Sequence, residues 1–470
     1  MITVNPLSVN ELPTMAEYRR GYLFWVCAVA SLGGVLFGYD LVVVSGTVPF
    51  FTKYYALGEA ATGWAVGCIN LGSAAGALLA GQLSDRAGRK KLILACAALF
   101  VLTGIGMGWS EHFGLFIVFR MLSGMAVGVA ALVCPMYIAE IAPAEYRGKL
   151  VSFYQLAIVS GLLLAYLADY LLLDTGVNNW RWMFSSQCLP ALLFLAGLFL
   201  VPESPRWLLG KGRLQQADRI LTRIGGSAYA RSQSLVIRAS FAGSRKEDWK
   251  ALFHRKYRVF VVLGVAIAVF SQIDGQNSLF SYAPEIFRQA GMADSSAFGQ
   301  SVILGCINFL FTFVAIATID RSGRRKLLLI GSCLLALDAG ALALSFAWHL
   351  PAVWILGFVL GFIAIYAATL GPVTWVALSE LFPNSVRGSL LSLATLCLWI
   401  ANFITTASFP VMKSYWGLPL TFGLHAFICG AYFVFVYRRV PETRGRTLEE
   451  IETMLTPGGK AAADPAAASR

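Results

Sequence analysis

Asp40 closes Gly33-Gly34-Val35-Leu36-Phe37-Gly38-Tyr39-Asp40 inside an apolar run that has no other charge. An ionised carboxylate at membrane depth costs several kcal/mol unless it is paired or hydrated, and such a residue suits reversible protonation. A second concentration of reactive types is Ser271-Gln272-Ile273-Asp274-Gly275-Gln276-Asn277-Ser278-Leu279-Phe280-Ser281-Tyr282. Burying its amides without partners costs roughly 1 to 3 kcal/mol each, so the segment is expected to border a polar cavity, with Gly275 letting a helix bend or break there. No nucleophile–base constellation and no phosphate-binding loop accompanies these residues, so the chain reads as neither an enzyme nor a cofactor protein.

The charged residues gather elsewhere, and they gather twice. Asp85-Arg86-Ala87-Gly88-Arg89-Lys90 returns as Asp320-Arg321-Ser322-Gly323-Arg324-Arg325, each copy between long apolar runs. Glu140-Ile141-Ala142-Pro143 with Arg147-Gly148 returns as Glu380-Leu381-Phe382-Pro383 with Arg387-Gly388, and Pro202-Glu203-Ser204 as Pro441-Glu442-Thr443. Repeats of this length mark two fused halves, common where a central site lies between rocking domains. Gly88 and Gly323 permit tight turns, and the arginines can form charge-assisted hydrogen bonds with carboxylates. Arg86, Arg89, Glu140, Arg147, Glu203, Arg321, Arg324, Glu380, Arg387 and Glu442 are therefore expected to form a gating salt-bridge network that ties the halves together while the cytoplasmic side is closed. The alternative is that these loops only set topology.

Positioning these groups falls to apolar helices. Of the residues, 57% are hydrophobic and 13% charged, where a soluble chain carries about 25% charged. Spans need roughly 20 apolar residues; twelve such runs occur, from 22–47 to 388–411 and 416–437, too long and continuous for barrel strands. Basic residues crowd the loops on one side, which places both termini and the 202–256 segment in the cytoplasm. The domains expected are an N-terminal segment 1–20, a six-helix domain 21–201, a linker 202–256 with short helices, a six-helix domain 257–437 and a tail 438–470. Leu214 to Ile224 has helical spacing, and Thr447-Leu448-Glu449-Glu450 has a capping-box pattern. The tail after Pro457 has too little apolar bulk to pack. The polar start precedes a run too long for a signal-peptide core, so the first span is expected to be retained. The net charge of +12 borders spans and fits anionic lipid rather than nucleic acid. Nine scattered cysteines have neither metal-ligand nor disulfide spacing.

Asp85–Lys90, Pro135-Met136-Tyr137-Ile138-Ala139-Glu140, Pro202-Glu203-Ser204-Pro205-Arg206-Trp207, Asp320–Arg325 and Pro441-Glu442-Thr443-Arg444-Gly445, in this order, resemble the sugar porter family of the major facilitator superfamily over about residues 20–452. The resemblance implies an all-α membrane protein of the major facilitator fold, with twelve transmembrane helices in two six-helix halves. It further implies alternating access and a monosaccharide or related polyol as solute. Asp40 matches the aspartate tied to proton coupling and Arg120 its basic partner; a permanent structural pair is the alternative. Gln155, Gln272, Asn277, Asn308, Trp375, Trp399 and Asn402 match the sugar-binding positions. Helix–helix hydrogen bonds for the amides and ordinary packing for the tryptophans are the competing roles.

The pattern departs at Ser271, at Ser281-Tyr282 and at Ala367, which leaves the sugar open among glucose, galactose, xylose, fructose and inositol. Asp274 stands where a small neutral residue is usual. With Ser271, Ser278 or a carbonyl near Gly275 it could hold Na+ as a metal ion; it could instead bond to the sugar or a neighbouring helix, or serve as a second protonation site. The function expected is sugar/H+ symport in a bacterial inner membrane. Na+-coupled symport through Asp274, facilitated diffusion and a membrane sugar sensor are the alternatives. Membrane lipid surrounds the protein, and no obligate protein partner is expected.

Overall fold

The computed structural model describes residues 18–242, 254, 256–383, 386–444 and 448–455, and the described residues fold into helices without strands. Helices α1 (Arg20–Tyr54), α2 (Glu59–Ala87), α3 (Arg89–Trp109), α4 (Phe113–Ile141) and α5 (Arg147–Leu172) are the first five spans. The sixth is α6 (Asn179–Ser186) followed by α7 (Cys188–Leu200). Between the halves lie α8 (Pro205–Gly210) and α9 (Leu214–Ala242). The second half begins with α10 (Arg258–Ile273) and α11 (Gln276–Gln289), which share one span, then α12 (Asp294–Ser322) and α13 (Arg324–Ala347). The paired α14 (Ala352–Ala368) and α15 (Leu370–Leu381) precede α16 (Arg387–Arg439), and α17 (Leu448–Leu455) follows.

Eleven helical stretches are long and apolar enough to cross a membrane, against twelve expected runs. The difference lies in α16. Its 53 residues would extend about 80 Å as one rod, more than twice the roughly 30 Å of a bilayer core. Gly417, at φ 74° and ψ 167°, breaks it between the runs at 388–411 and 416–437, so α16 supplies two spans and the total is twelve.

Proline shapes other spans by leaving a carbonyl without its helical partner. Pro284 frees the Phe280 carbonyl, which accepts a hydrogen bond from the Tyr166 hydroxyl at 2.8 Å. Pro410 frees the Thr406 carbonyl, which accepts from the Tyr282 hydroxyl at 3.0 Å. The first of these bonds crosses from one half to the other.

Within the first half α2 packs on α4 and α1 on α5; within the second, α13 and α10 pack on α16 and α12 on α14. The halves meet along α2–α16, α5–α12 and α1–α11. Helices in lipid associate through close packing at small residues, and a Cβ on Gly63 would lie only 1.9 Å from the Ala407 carbonyl oxygen. Trp64 meets Phe403 edge-on beside it. These contacts lie in the portions of α2 and α16 away from the repeated basic loops. Towards those loops, Leu78 lines a small groove between α2, α4 and α16 and stays 47% exposed.

The expected linker helix forms. Ala217, Leu221 and Ile224 are buried, while Leu214, expected on the same face, is 46% exposed, and the helix is interrupted at Gly225 and Gly226. The Ile224 carbonyl accepts from the Arg19 amide at 3.0 Å, joining α9 to the start of α1. At the other end Lys256 meets Glu452 of α17 at 2.7 Å, and this hydrogen bond raises the lysine above its ordinary pKa. Thr447 of the expected capping box and the tail after Pro457 lie outside the described residues.

Candidate functional site

Gly275, at φ 106°, ends α10 and starts α11, a left-handed turn that only glycine takes without strain. The break brings two amides together: Asn277 Nδ2 donates to Gln272 Oε1 at 2.9 Å and to the Gln272 carbonyl at 3.1 Å. Gln272 Nε2 in turn donates to Ser271 Oγ at 3.3 Å.

Both amides line a central cavity of about 140 Å³ between the halves. Gln155, Asn308, Trp375, Trp399 and Asn402 line it too, so all seven positions expected at a sugar site share one cavity. The amides offer donors and acceptors for hydroxyls, and the indoles offer flat apolar faces. Trp399 is buried with its ring 5.8 Å from that of Phe37 in the opposite half. Trp375 is 42% exposed, on the side of the cavity nearer the basic loops. Asn402 Oδ1 accepts from Thr406 at 2.9 Å, which fixes its amide.

Two cavity-lining amides were not expected there. Asn70, read from sequence as structural, lines the cavity with a buried Oδ1 that has no hydrogen-bond partner; its internal counterpart Asn308 was the available signal. Gln276 lines it as well, and it sat within the polar run already noted.

Ser271, Asp274 and Ser278 do not line the cavity. Ser271 Oγ donates to the Ala268 carbonyl at 2.9 Å. Asp274 Oδ1 accepts from the Gln276 amide at 3.0 Å, and its carbonyl faces Cys429 of α16. The turn at Gly275 rotates this carboxylate to the back of the break, so direct contact between Asp274 and a solute in the cavity is not what the geometry provides. Among the described residues no cluster of three His, Cys, Asp or Glu could hold a metal ion.

Asp40 and Arg120 are both fully buried, with Arg120 Nη1 3.6 Å from Asp40 Oδ1. Arg120 also donates to the carbonyls of Ala65 at 3.3 Å and Val66 at 3.1 Å. Ser123 Oγ donates to Asp40 Oδ2 and itself accepts from Thr103 at 3.2 Å. Asp40 Oδ1 has no hydrogen bond. Leu41, Val42 and Val66 line the cavity, so this pair sits one residue behind its wall.

The repeated motifs build two matching clusters. Arg89 makes a bidentate bond to Glu140, with Nε to Oε2 and Nη2 to Oε1 both at 3.0 Å. Glu203 accepts from the amides of Arg89 and Lys90 at 3.0 Å, capping the positive end of α3. In the second half Arg324 meets Glu380 at 2.9 Å, and Glu442 accepts from the Arg324 amide at 3.0 Å at the start of α13. Gly88 and Gly323 have φ of 98° and 86°, and a Cβ on either would lie 2.4 or 2.7 Å from the capping carboxylate. Arg147 donates to the Ala139 carbonyl at 3.0 Å and Arg387 to that of Ser379 at 2.6 Å. Arg86 and Arg321 have exposed side chains and join none of these bonds.

Both clusters close within their own halves in this conformation; the ties between halves expected for a closed cytoplasmic side belong to another state.

The family model for sugar and other transporters matches residues 26–455. The D-xylose-proton symporter of Escherichia coli K12 is 38% identical over 94% of this chain and 98% of its own. The arabinose-proton symporter of Bacillus subtilis is 34% identical over 94% and 97%. A solved inward-open structure of the E. coli xylose transporter superposes with a TM-score of 0.84 at 36% identity, covering 92% of this chain and all of that one.

Proposed function

The chain belongs to the sugar transporter family of the major facilitator superfamily, and from that premise we propose that it imports a pentose together with a proton by alternating access. The observation that carries the proposal is one cavity, walled by both halves, that gathers Gln155, Gln272, Asn277, Asn308, Trp375, Trp399 and Asn402. Paired amides match the hydroxyls of a sugar ring, and the indoles match its C–H faces. Relatives named for xylose and arabinose favour a pentose.

Proton coupling is assigned to Asp40 with Arg120. Their fully buried pair lies directly behind residues of the cavity wall, so the charge on Asp40 and the shape of the site can change together. The six-span halves, 21–201 and 257–437, act as the moving bodies, and the clusters around Arg89 and Arg324 brace each half as it moves. The basic loops and both termini face the cytoplasm of a bacterial cell. Contact between the halves away from those loops gives an inward-facing state, in keeping with the likeness to an inward-open structure.

The test is uptake of labelled D-xylose, L-arabinose and D-glucose into proteoliposomes under separately imposed H+ and Na+ gradients. Accumulation of a pentose driven by H+ alone is expected. Accumulation driven by Na+, equilibration without accumulation, or absence of flux would replace symport with sodium coupling, facilitation or sensing respectively.

A further inference from the structure

Behind the break between α10 and α11 lies a polar cluster that the sugar cavity does not use. Asp274 is fully buried; its Oδ1 accepts from the Gln276 amide at 3.0 Å, while its Oδ2 has no partner. His425 of α16 is also buried, its ring against Gly275, where a Cβ would lie 2.8 Å from Cγ. Its Nδ1 is 3.1 Å from the Ile273 carbonyl. A carbonyl only accepts, so Nδ1 carries the hydrogen and Nε2 holds a lone pair; that atom too has no partner. Ser278 Oγ is a third buried atom without one. Orphan buried polar atoms are costly, and two beside the break in the seventh span with a third on α16 against Gly275 call for a missing partner.

The surrounding charges narrow what that partner is. Cys429 and Tyr432 of α16 and Tyr366 of α14 lie within electrostatic reach of Asp274. From α1, α12 and α15 no charged group reaches it among the described residues, and no lysine or arginine neutralises it as Arg120 does Asp40. Hard cations gather about six oxygen ligands, whereas this cluster offers one free carboxylate oxygen, the hydroxyls of Ser278 and Tyr432, and an imidazole nitrogen.

We propose that Asp274 and His425 form a second proton-binding site, separate from Asp40 and Arg120, whose occupancy controls how the break in the seventh span is held. A proton from water adds to Asp274 Oδ2, and one bridging water links it to the His425 Nε2 lone pair; no bond between heavy atoms changes. Its loss leaves an anion at the N-terminus of α11, where the helix dipole and the Gln276 amide hold it. The two states load the break differently, and Gln272 and Asn277 flank that break on the cavity side. Proton binding stands without any statement about the solute; its effect on transport rests on the proposed function.

Infrared difference spectra of the full-length protein in lipid, recorded between acidic and alkaline buffer without sugar, test the site directly. One component of the carboxylic-acid C=O band is expected to persist in Asp40→Asn, to be lost when Asp274→Asn is added, and to shift its titration midpoint in His425→Gln, which keeps that position neutral and polar. Thermal melts of each variant establish that it is folded. Titration spectra unchanged by Asp274→Asn in a folded variant would overturn the proposal, and so would a band that responds to Na+ at fixed pH. Because no sugar is present, failure here leaves the uptake experiment untouched, and a failed uptake experiment leaves this site standing.

Discussion

Asp40 has one cation facing Oδ1 at ion-pair distance without a hydrogen bond, and one hydroxyl donating to Oδ2. Asp40→Asn preserves the shape and removes the exchangeable proton, so concentrative uptake is expected to fall to simple equilibration while counterflow exchange persists. Full accumulation by the variant in proteoliposomes would remove Asp40 from coupling. At the cavity, Asn277→Ala removes a side chain that also satisfies Gln272. A lost pair of this kind costs about 1 to 3 kcal/mol, which raises the KM for the sugar about 5-fold to 150-fold; an unchanged KM in uptake kinetics would place the sugar elsewhere. The polarity of the seventh span made its amides legible in the sequence because unpartnered amides are costly at membrane depth, whereas Gln155, Asn308, Trp375, Trp399 and Asn402 were placed by resemblance to the sugar porter family. Asn70 was not legible, since an asparagine alone in an apolar helix reads equally well as a bond between helices.

The seventh span makes the limit of sequence reading concrete at the scale of one element. Its polarity announces a cavity, yet spacing could not say which polar residues face it, because the left-handed turn at Gly275 resets the helical phase. Gln272 and Asn277 end on one face, and Asp274 and Ser278 on the other. Likewise the count of twelve spans was readable from apolar runs, whereas the hydrogen bonds that steady them were not. Pro284 marks a kink in any sequence, but only the fold brings Tyr166 from the other half to the carbonyl it frees. Tyr166→Phe leaves that carbonyl unpaired and weakens the contact between halves by about 1 to 3 kcal/mol. Faster hydrogen–deuterium exchange in α11 and in the adjoining part of α5 is the expected result, and exchange identical to the unsubstituted protein would show that the bond does not hold the halves.

Across the whole molecule the internal repeat is expressed as matched clusters, Arg89 with Glu140 and Glu203, and Arg324 with Glu380 and Glu442. Each cluster closes within its own half here, and the halves touch where α2 meets α16 and α5 meets α12. Gly63 is the tightest point on the first of these faces, with the Ala407 carbonyl 1.9 Å from where its Cβ would be. An indole there cannot be absorbed by a rotamer change, and overpacking costs of 1 to 3 kcal/mol or more correspond to about tenfold or greater effects on a rate. Gly63→Trp should therefore hold the outer side open: sugar binding from outside is retained while net uptake falls about tenfold or more. Because the clash lies between the halves and not within either, a melt close to that of the unsubstituted protein is expected alongside the lost transport. Normal uptake by a folded Gly63→Trp protein would mean that this contact does not close the outer side during the cycle.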